Sequence, residues 1–329
     1  MNAKPSRGDW KAVFGTSRTC CDRSAPRFWA DDALTRFQWS VGRDGLLQYP
    51  CVVELHSSYI LPEIDFFLSR ILLDRCCVQF AELSAPRIRA LAPDTPIVFP
   101  IAAIEQHGPH LPVWTDSLIT SKLMDSVSER LKDQVLFAPL MWLGNSHHHL
   151  DFSGTLSSSP RNYLDLLCDL MENAISQGFR RIVFINGHGG NDVPAKQATF
   201  EVRQKYANRS DLLLLMTTYW GLGVEPWSED ASIVQREMGH ACEWETSMVL
   251  SIRPDLVGDY KELIPVDPGN PFRPGVRAWK TADRTAPGYI GVPDAASRAK
   301  GDLLLRLFSD ALVGWLERVV HWDGQSWDG

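Results

Sequence analysis

The chain has 329 residues, 44% of them apolar and 22% charged, with 33 basic against 40 acidic side chains for a net charge of −7. That is enough apolar material for one large core or two modest ones. The basic residues are too scattered to neutralise a run of phosphates, which argues against a nucleic-acid partner and for a small-molecule substrate.

The longest apolar runs, such as Leu212 to Met216, fall far short of the roughly 20 residues of a membrane-spanning helix. The N-terminus lacks the apolar stretch of a signal peptide, so the expected location is cytoplasmic. Seven cysteines, an odd count with two adjacent pairs, match neither a disulfide framework nor a zinc ribbon, and reduced thiols are expected.

Residues 1–77 read differently from the rest. "TSRTCCDRSAPRFWADD" has neither helical nor strand periodicity, although "VVEL" resembles a strand and "IDFFLSRILL" could carry a short helix. The segment is either an appendage, such as a small lid or oligomerisation arm, or a poorly ordered stretch translated from a start codon placed too early. The second reading is the favoured one.

From residue 78 to 329 apolar runs alternate with amphipathic stretches, as in βαβ units around a parallel sheet. Strands are expected at Pro96 to Ala103, Val135 to Trp142, Ile182 to Ile185 and Leu212 to Thr218, each a continuous apolar run of the kind covered on both faces. Helices are expected at Ser117 to Leu131, at Asn162 to Gly178 with Gly178 as its cap, and at Gly301 to Val320.

Polar clusters fall where strands end, the place where open parallel sheets bind ligands. In "EQHGPHLPVWTD", Glu105 and His107 alternate with Gln106 and leave the same side of an extended loop, while Asp116 returns at the start of the next helix. A mixed nitrogen and oxygen set without thiolates suits Zn²⁺ or Mn²⁺; the alternative is that His107 and His110 only cap or pack under the loop. "NGHGGND" offers His188 in a glycine-rich loop that matches no phosphate-binding fingerprint. "GHACEWETS" should open a helix. On a helix His240 and Glu245 would stand about 140° apart and hold different jobs, and Glu243 rivals Glu245 as a ligand. Trp114, Trp220, Trp227 and Trp244 fall near these clusters but receive no role.

These motifs resemble the creatininase (creatinine amidohydrolase) family of metal-dependent hydrolases. "EQHGPHLP" followed by Asp116, "SHHHLDFSGT", "NGHGGN", "HACEWETS" and "GYIGVPDAASRAKG" occur in unbroken order between Val78 and Val320. The resemblance implies a three-layer α/β/α domain with a mainly parallel sheet and two divalent metal ions per chain, Zn or Mn with Fe as a third candidate. Asp116 would bridge them, Glu105 and His188 would bind one, and His107 and a further carboxylate the other. It also implies His240 as the catalytic histidine, His149 as a lining of the substrate pocket, and a homo-oligomer, often a hexamer; three consecutive histidines cannot all point one way from a loop, and His147 and His148 are expected as surface or interface residues. One departure stands out: creatininase carries its last carboxylate where this chain has Gly190, so the role is expected to pass to Glu245 and creatinine as substrate is in doubt.

Two ions sharing a hydroxide would permit hydrolysis of a C–N bond in a small linear or cyclic amide. Against three carboxylates they would leave a net charge of +1 to stabilise an oxyanion. Two alternatives remain open: ring opening of an oxidised cyclic sugar or cyclitol on the same site, and a non-catalytic metal- or phosphate-binding protein.

Overall fold

The computed structural model describes residues 79–327 together with the backbone of residues 40–41 and 47–48. The chain divides into two units, Met1–Leu73 and Asp74–Gly329. In the first, β1 (Ser40–Val41) pairs antiparallel with β2 (Leu47–Gln48). The segments "VVEL" and "IDFFLSRILL", and the readings of residues 1–77 as an extension, lie outside the described residues.

In the second unit a four-stranded parallel sheet runs in the order β4 (Leu136–Phe137), β3 (Ile97–Ile101), β5 (Arg181–Asn186), β6 (Leu213–Thr218). Alternation along the strands builds two cores. Val98, Val183 and Ile185 pack on one face, against α2 (Thr115–Leu131), α6 (Glu243–Ile252) and α8 (Arg298–His321). Ile97, Ile101, Ile182 and Phe184 pack on the other, against α3 (Pro160–Ser176) and α4 (Asp192–Lys205). The result is three layers, as the continuous apolar runs require. Shorter helices complete the unit: α1 (Ala85–Leu91), α5 (Pro226–Glu229) and α7 (Thr281–Arg284). Among the described residues no helix is long and apolar enough to cross a membrane.

One strand is shorter than the apolar run suggests. Regular pairing of β4 stops at Phe137: the Met141 N–H, not that of Leu140, bonds the Pro100 carbonyl, so the register slips by one residue around Pro139 and pairing resumes only as a single bridge between Met141 and Ile101.

The sheet order reverses between β3 and β5. The chain leaves β3 through α2 on one face toward β4, and leaves β5 through α4 on the other toward β6. Such a switch point opens a crevice at the carboxyl ends of the two strands, and the loops carrying Glu105, His107 and His188 begin there.

Candidate metal centre

The loop after β3 carries Glu105 and His107, and a tight turn through Gly108, at φ +62°, returns it so that Asp116 falls at the second position of α2. His188 follows β5 by two residues. Its loop is pinned by Asn186, whose Oδ1 accepts the His188 N–H, and by Asn191, which donates to the Ala102 carbonyl and accepts from the Asn145 N–H. His149 closes the short 3-10 turn His147–His149, and Glu245 lies in the first turn of α6. Glu105, His107, Asp116, His149, His188 and Glu245 are all buried.

The hydrogen bonds fix how the imidazoles face. His107 Nδ1 donates to the Glu105 carbonyl at 3.0 Å, which turns Nε2 onto Asp116 Oδ1 at 3.1 Å and Glu245 Oε1 at 3.7 Å. His188 Nε2 lies 3.0 Å from the Asn145 carbonyl, which can only accept, so Nδ1 faces Asp116 Oδ2 at 3.0 Å and Glu105 Oε1 at 3.4 Å. Each ring, in its neutral form, aims a lone pair at carboxylate oxygens, which is repulsive unless a cation lies between. Glu105 Oε2 and Asp116 Oδ2 are buried without a hydrogen-bond partner. The donor atoms of Glu105, His107 and Asp116 lie within 4.8 Å of one another, as do those of His107, His240 and Glu245. Buried, cation-hungry and free of thiolate, the cage fits a divalent metal.

The acid–base balance has the same cause. Burial pulls the His188 ring down, but Glu105 and Asp116 outweigh it and raise it to about 10. Burial likewise opposes, and Asp116 and Glu245 overcome, in holding His107 well above the usual imidazole range. Burial raises Glu105, whereas for Asp116 the same penalty is exceeded by His107 and His188, which keep it below the usual carboxylate range. His149 and His240 go the other way: burial first, then the neighbouring rings, push both far below the imidazole norm.

Several placements depart from expectation. His240 is not on a helix: it pairs in extended form with Ile290, the chain turns through Ala241 at φ +48°, and α6 begins only at Glu243. The angle a helix would set between His240 and Glu245 therefore does not apply, and both reach the His107 side of the cage. The two carboxylates of α6 part company. Glu243 points away from the cage into a 2.6 Å ion pair with Lys300 and accepts the Val234 and Gln235 N–H groups. His148 is no bystander, since it stacks on His188 at 5.8 Å and meets the edge of Trp279 at 5.1 Å.

Trp279, which the sequence reading did not single out, is exposed and is the tryptophan that meets His148. Trp244 packs instead with Trp227 and Phe308 in the core. Gly190 has no room for a side chain, because a Cβ there would collide with the Asn145 carbonyl and the rings of His188 and His148. Gln106, a mere spacer in the sequence pattern, contacts His149 and the carbonyl of Gly288.

A parallel α/β sheet with a buried histidine–carboxylate cage at its switch point defines an enzyme architecture made to carry divalent metal. Comparison with known proteins narrows this. The family model for creatininase (creatinine amidohydrolase) matches residues 81–316, and the chain belongs to that family of metal-dependent hydrolases. It is 31% identical over 232 residues to a mycofactocin precursor peptide peptidase of Mycolicibacterium smegmatis, covering 69% of this chain and 85% of that protein. It is 27% identical over 237 residues to a creatinine amidohydrolase of Pseudomonas putida, covering 67% and 87%. A crystal structure of creatininase superposes with a TM-score of 0.64 at 25% identity, over 74% of this chain and 98% of that one. Related creatininase structures are described as Zn–Zn and Mn forms. A 3-dehydro-scyllo-inosose hydrolase of Thermotoga maritima is 29% identical, but over 28% of this chain.

Proposed function

We propose that the protein is a binuclear metal-dependent hydrolase that cleaves the C–N bond of an amide in a small molecule. Glu105 and His188 would hold one ion, His107 and Glu245 the other, with Asp116 shared. The observation that carries this reading is the pair of ring nitrogens, His107 Nε2 and His188 Nδ1, each turned onto a different oxygen of the same Asp116 carboxylate, at 3.1 and 3.0 Å. Zinc or manganese suits such donors, with iron as the third candidate.

Bound divalent ions polarise a carbonyl and make water a competent nucleophile at neutral pH. The chain's own residues supply the rest. His240 takes the proton of the attacking water and returns it to the leaving nitrogen, for which a neutral imidazole is suited. His149 lines the pocket beside it. The relatives named peptidase and amidohydrolase both support C–N cleavage. Ring opening of an oxidised cyclitol is the second reading, favoured only by the short Thermotoga match. The enzyme is further proposed to work in the cytoplasm as a homo-oligomer, with a hexamer the size to test by sedimentation.

The test is metal content per chain by plasma emission for wild type, Asp116→Ala and Glu245→Ala, alongside turnover of creatinine, short peptides and cyclic ketones. About two ions in wild type, sharp loss in both variants and hydrolysis of an amide are expected. One ion or none in folded wild type, or a Glu245 variant that keeps both, would overturn the ligand set. His240→Ala should abolish turnover with metal content near wild type, whereas in a non-catalytic binding protein the same change would leave ligand affinity intact.

A further inference from the structure

We infer that Gln106 is a positioning residue that turns two histidines in opposite senses, so that His149 presents an N–H and His240 a lone pair to the same point beside Glu105. The catalytic use of this pair rests on the hydrolytic reading above; the proton positions do not.

Several groups around the carboxamide can play only one hydrogen-bonding role. The Gly108 N–H can only donate, and it meets Gln106 Oε1 at 2.9 Å, which settles which end of the carboxamide is oxygen. Nε2 therefore has two protons to give. The Gly288 carbonyl, at 3.0 Å, can only accept and takes one. The other goes to His149 Nδ1 at 2.7 Å. With Nδ1 accepting, the single proton of His149 is on Nε2, 3.5 Å from Glu105 Oε1. His240 is held the other way round: its Nε2 lies 2.7 Å from the backbone carbonyl of Gln106 and must donate to it. Its Nδ1 is then the lone-pair position of the neutral ring, and it too stands 3.5 Å from Glu105 Oε1. The 3.2 Å approach of Gln106 Nε2 to His240 Nε2 brings two proton-bearing nitrogens side by side and is not a hydrogen bond.

The seat of the carboxamide is itself constrained. Gly288 has φ +80°, and a Cβ on it would stand 2.5 Å from Gln106 Oε1, so a side chain there would displace the amide. The two rings lie 4.3 Å apart, centre to centre. A donor and an acceptor thus stand side by side, each 3.5 Å from Glu105 Oε1, which is the pairing that hydrolysis of a carbonyl compound uses: an N–H for the developing oxyanion and a base for the proton of water.

Neutron diffraction from metal-loaded crystals exchanged into heavy water, for wild type and Gln106→Glu, tests this. Wild type should show deuterium on Nε2 of both His149 and His240. In Gln106→Glu a carboxylate oxygen replaces the donor, so the His149 deuterium should move to Nδ1 while that of His240 stays. On any amide substrate, kcat should fall by about 10²-fold or more with KM and metal content little changed. Deuterium on His149 Nδ1 in wild type overturns the inference, as does a variant that leaves it on Nε2. If Gln106→Glu does not fold, the wild-type map decides alone. If no amide is hydrolysed, the proposed function fails while the deuterium positions still test the role of Gln106.

Discussion

At the scale of single residues, the cage is a problem of protons as much as of metal. Below pH 9 in the metal-free protein His188 carries a second proton, since its neighbours raise it to about 10, and His107 is held well above its usual range by Asp116 and Glu245. A metal takes these nitrogens only by displacing their protons. Binding to the metal-free protein near pH 8 should therefore release protons, that of His188 among them, read by titration calorimetry in buffers of different ionisation heat. Release should fall as pH rises through 10, and affinity should weaken as pH falls. Proton release near zero at pH 8 would mean that the rings are not ligands. The ligand types were legible in the sequence because Glu105, His107 and Asp116 follow an apolar run in a pattern a loop can fold onto one centre. The part played by Gln106 and His148 was not, since the direction of a hydrogen bond and the stacking of rings depend on atoms far apart in the chain, such as the Gly288 carbonyl, 182 positions from Gln106.

At the scale of elements, strands β3, β5 and β6 were readable because a strand covered on both faces must be apolar throughout, and α2, α3 and α8 because they bury one stripe each. The start of α6 was not readable. It depends on Ile290 pairing with His240, and on an anchor no local pattern reveals: Glu243, fully buried, against Lys300 at the first turn of α8. Lys300 also donates to the Ala295 carbonyl, so one ammonium ties three segments together. Removing one partner leaves the other charged and buried, which costs about 3 kcal/mol or more. Lys300→Met should lower the urea midpoint accordingly, and pairing it with Glu243→Leu should recover much of the loss. Metal content should fall more in Lys300→Met than in the double variant, because a displaced α6 carries Glu245 away from His107. A single variant as stable as wild type would refute the anchor.

At the scale of the whole molecule, family and layering were legible from five motifs in unbroken order, whereas the crowding of histidines at one end of the sheet is a product of the fold. Bringing so many buried imidazoles together makes the protein acid-sensitive in a definable window. His110, 2% exposed and hydrogen-bonded to Thr246 at 2.9 Å, is lowered to about 4, first by burial and then by the His107 charge. Burial, then His188, lowers His148 to about 4 as well. An unfolded histidine titrates near 6.5, so between pH 6.5 and 4 the unfolded chain binds protons that the folded chain refuses. The stability these rings contribute is complete above 6.5, drains away as pH falls through that window, and changes no further below 4. Metal loss in acid adds a slope of its own, which a comparison within one background removes. His110→Gln keeps a side chain able to bond Thr246 and has nothing to titrate. Its urea midpoint should lie below that of wild type at pH 7, and the gap should narrow steadily by pH 4. A gap independent of pH would show that His110 takes up its proton equally in the folded and the unfolded chain, against the burial that encloses it.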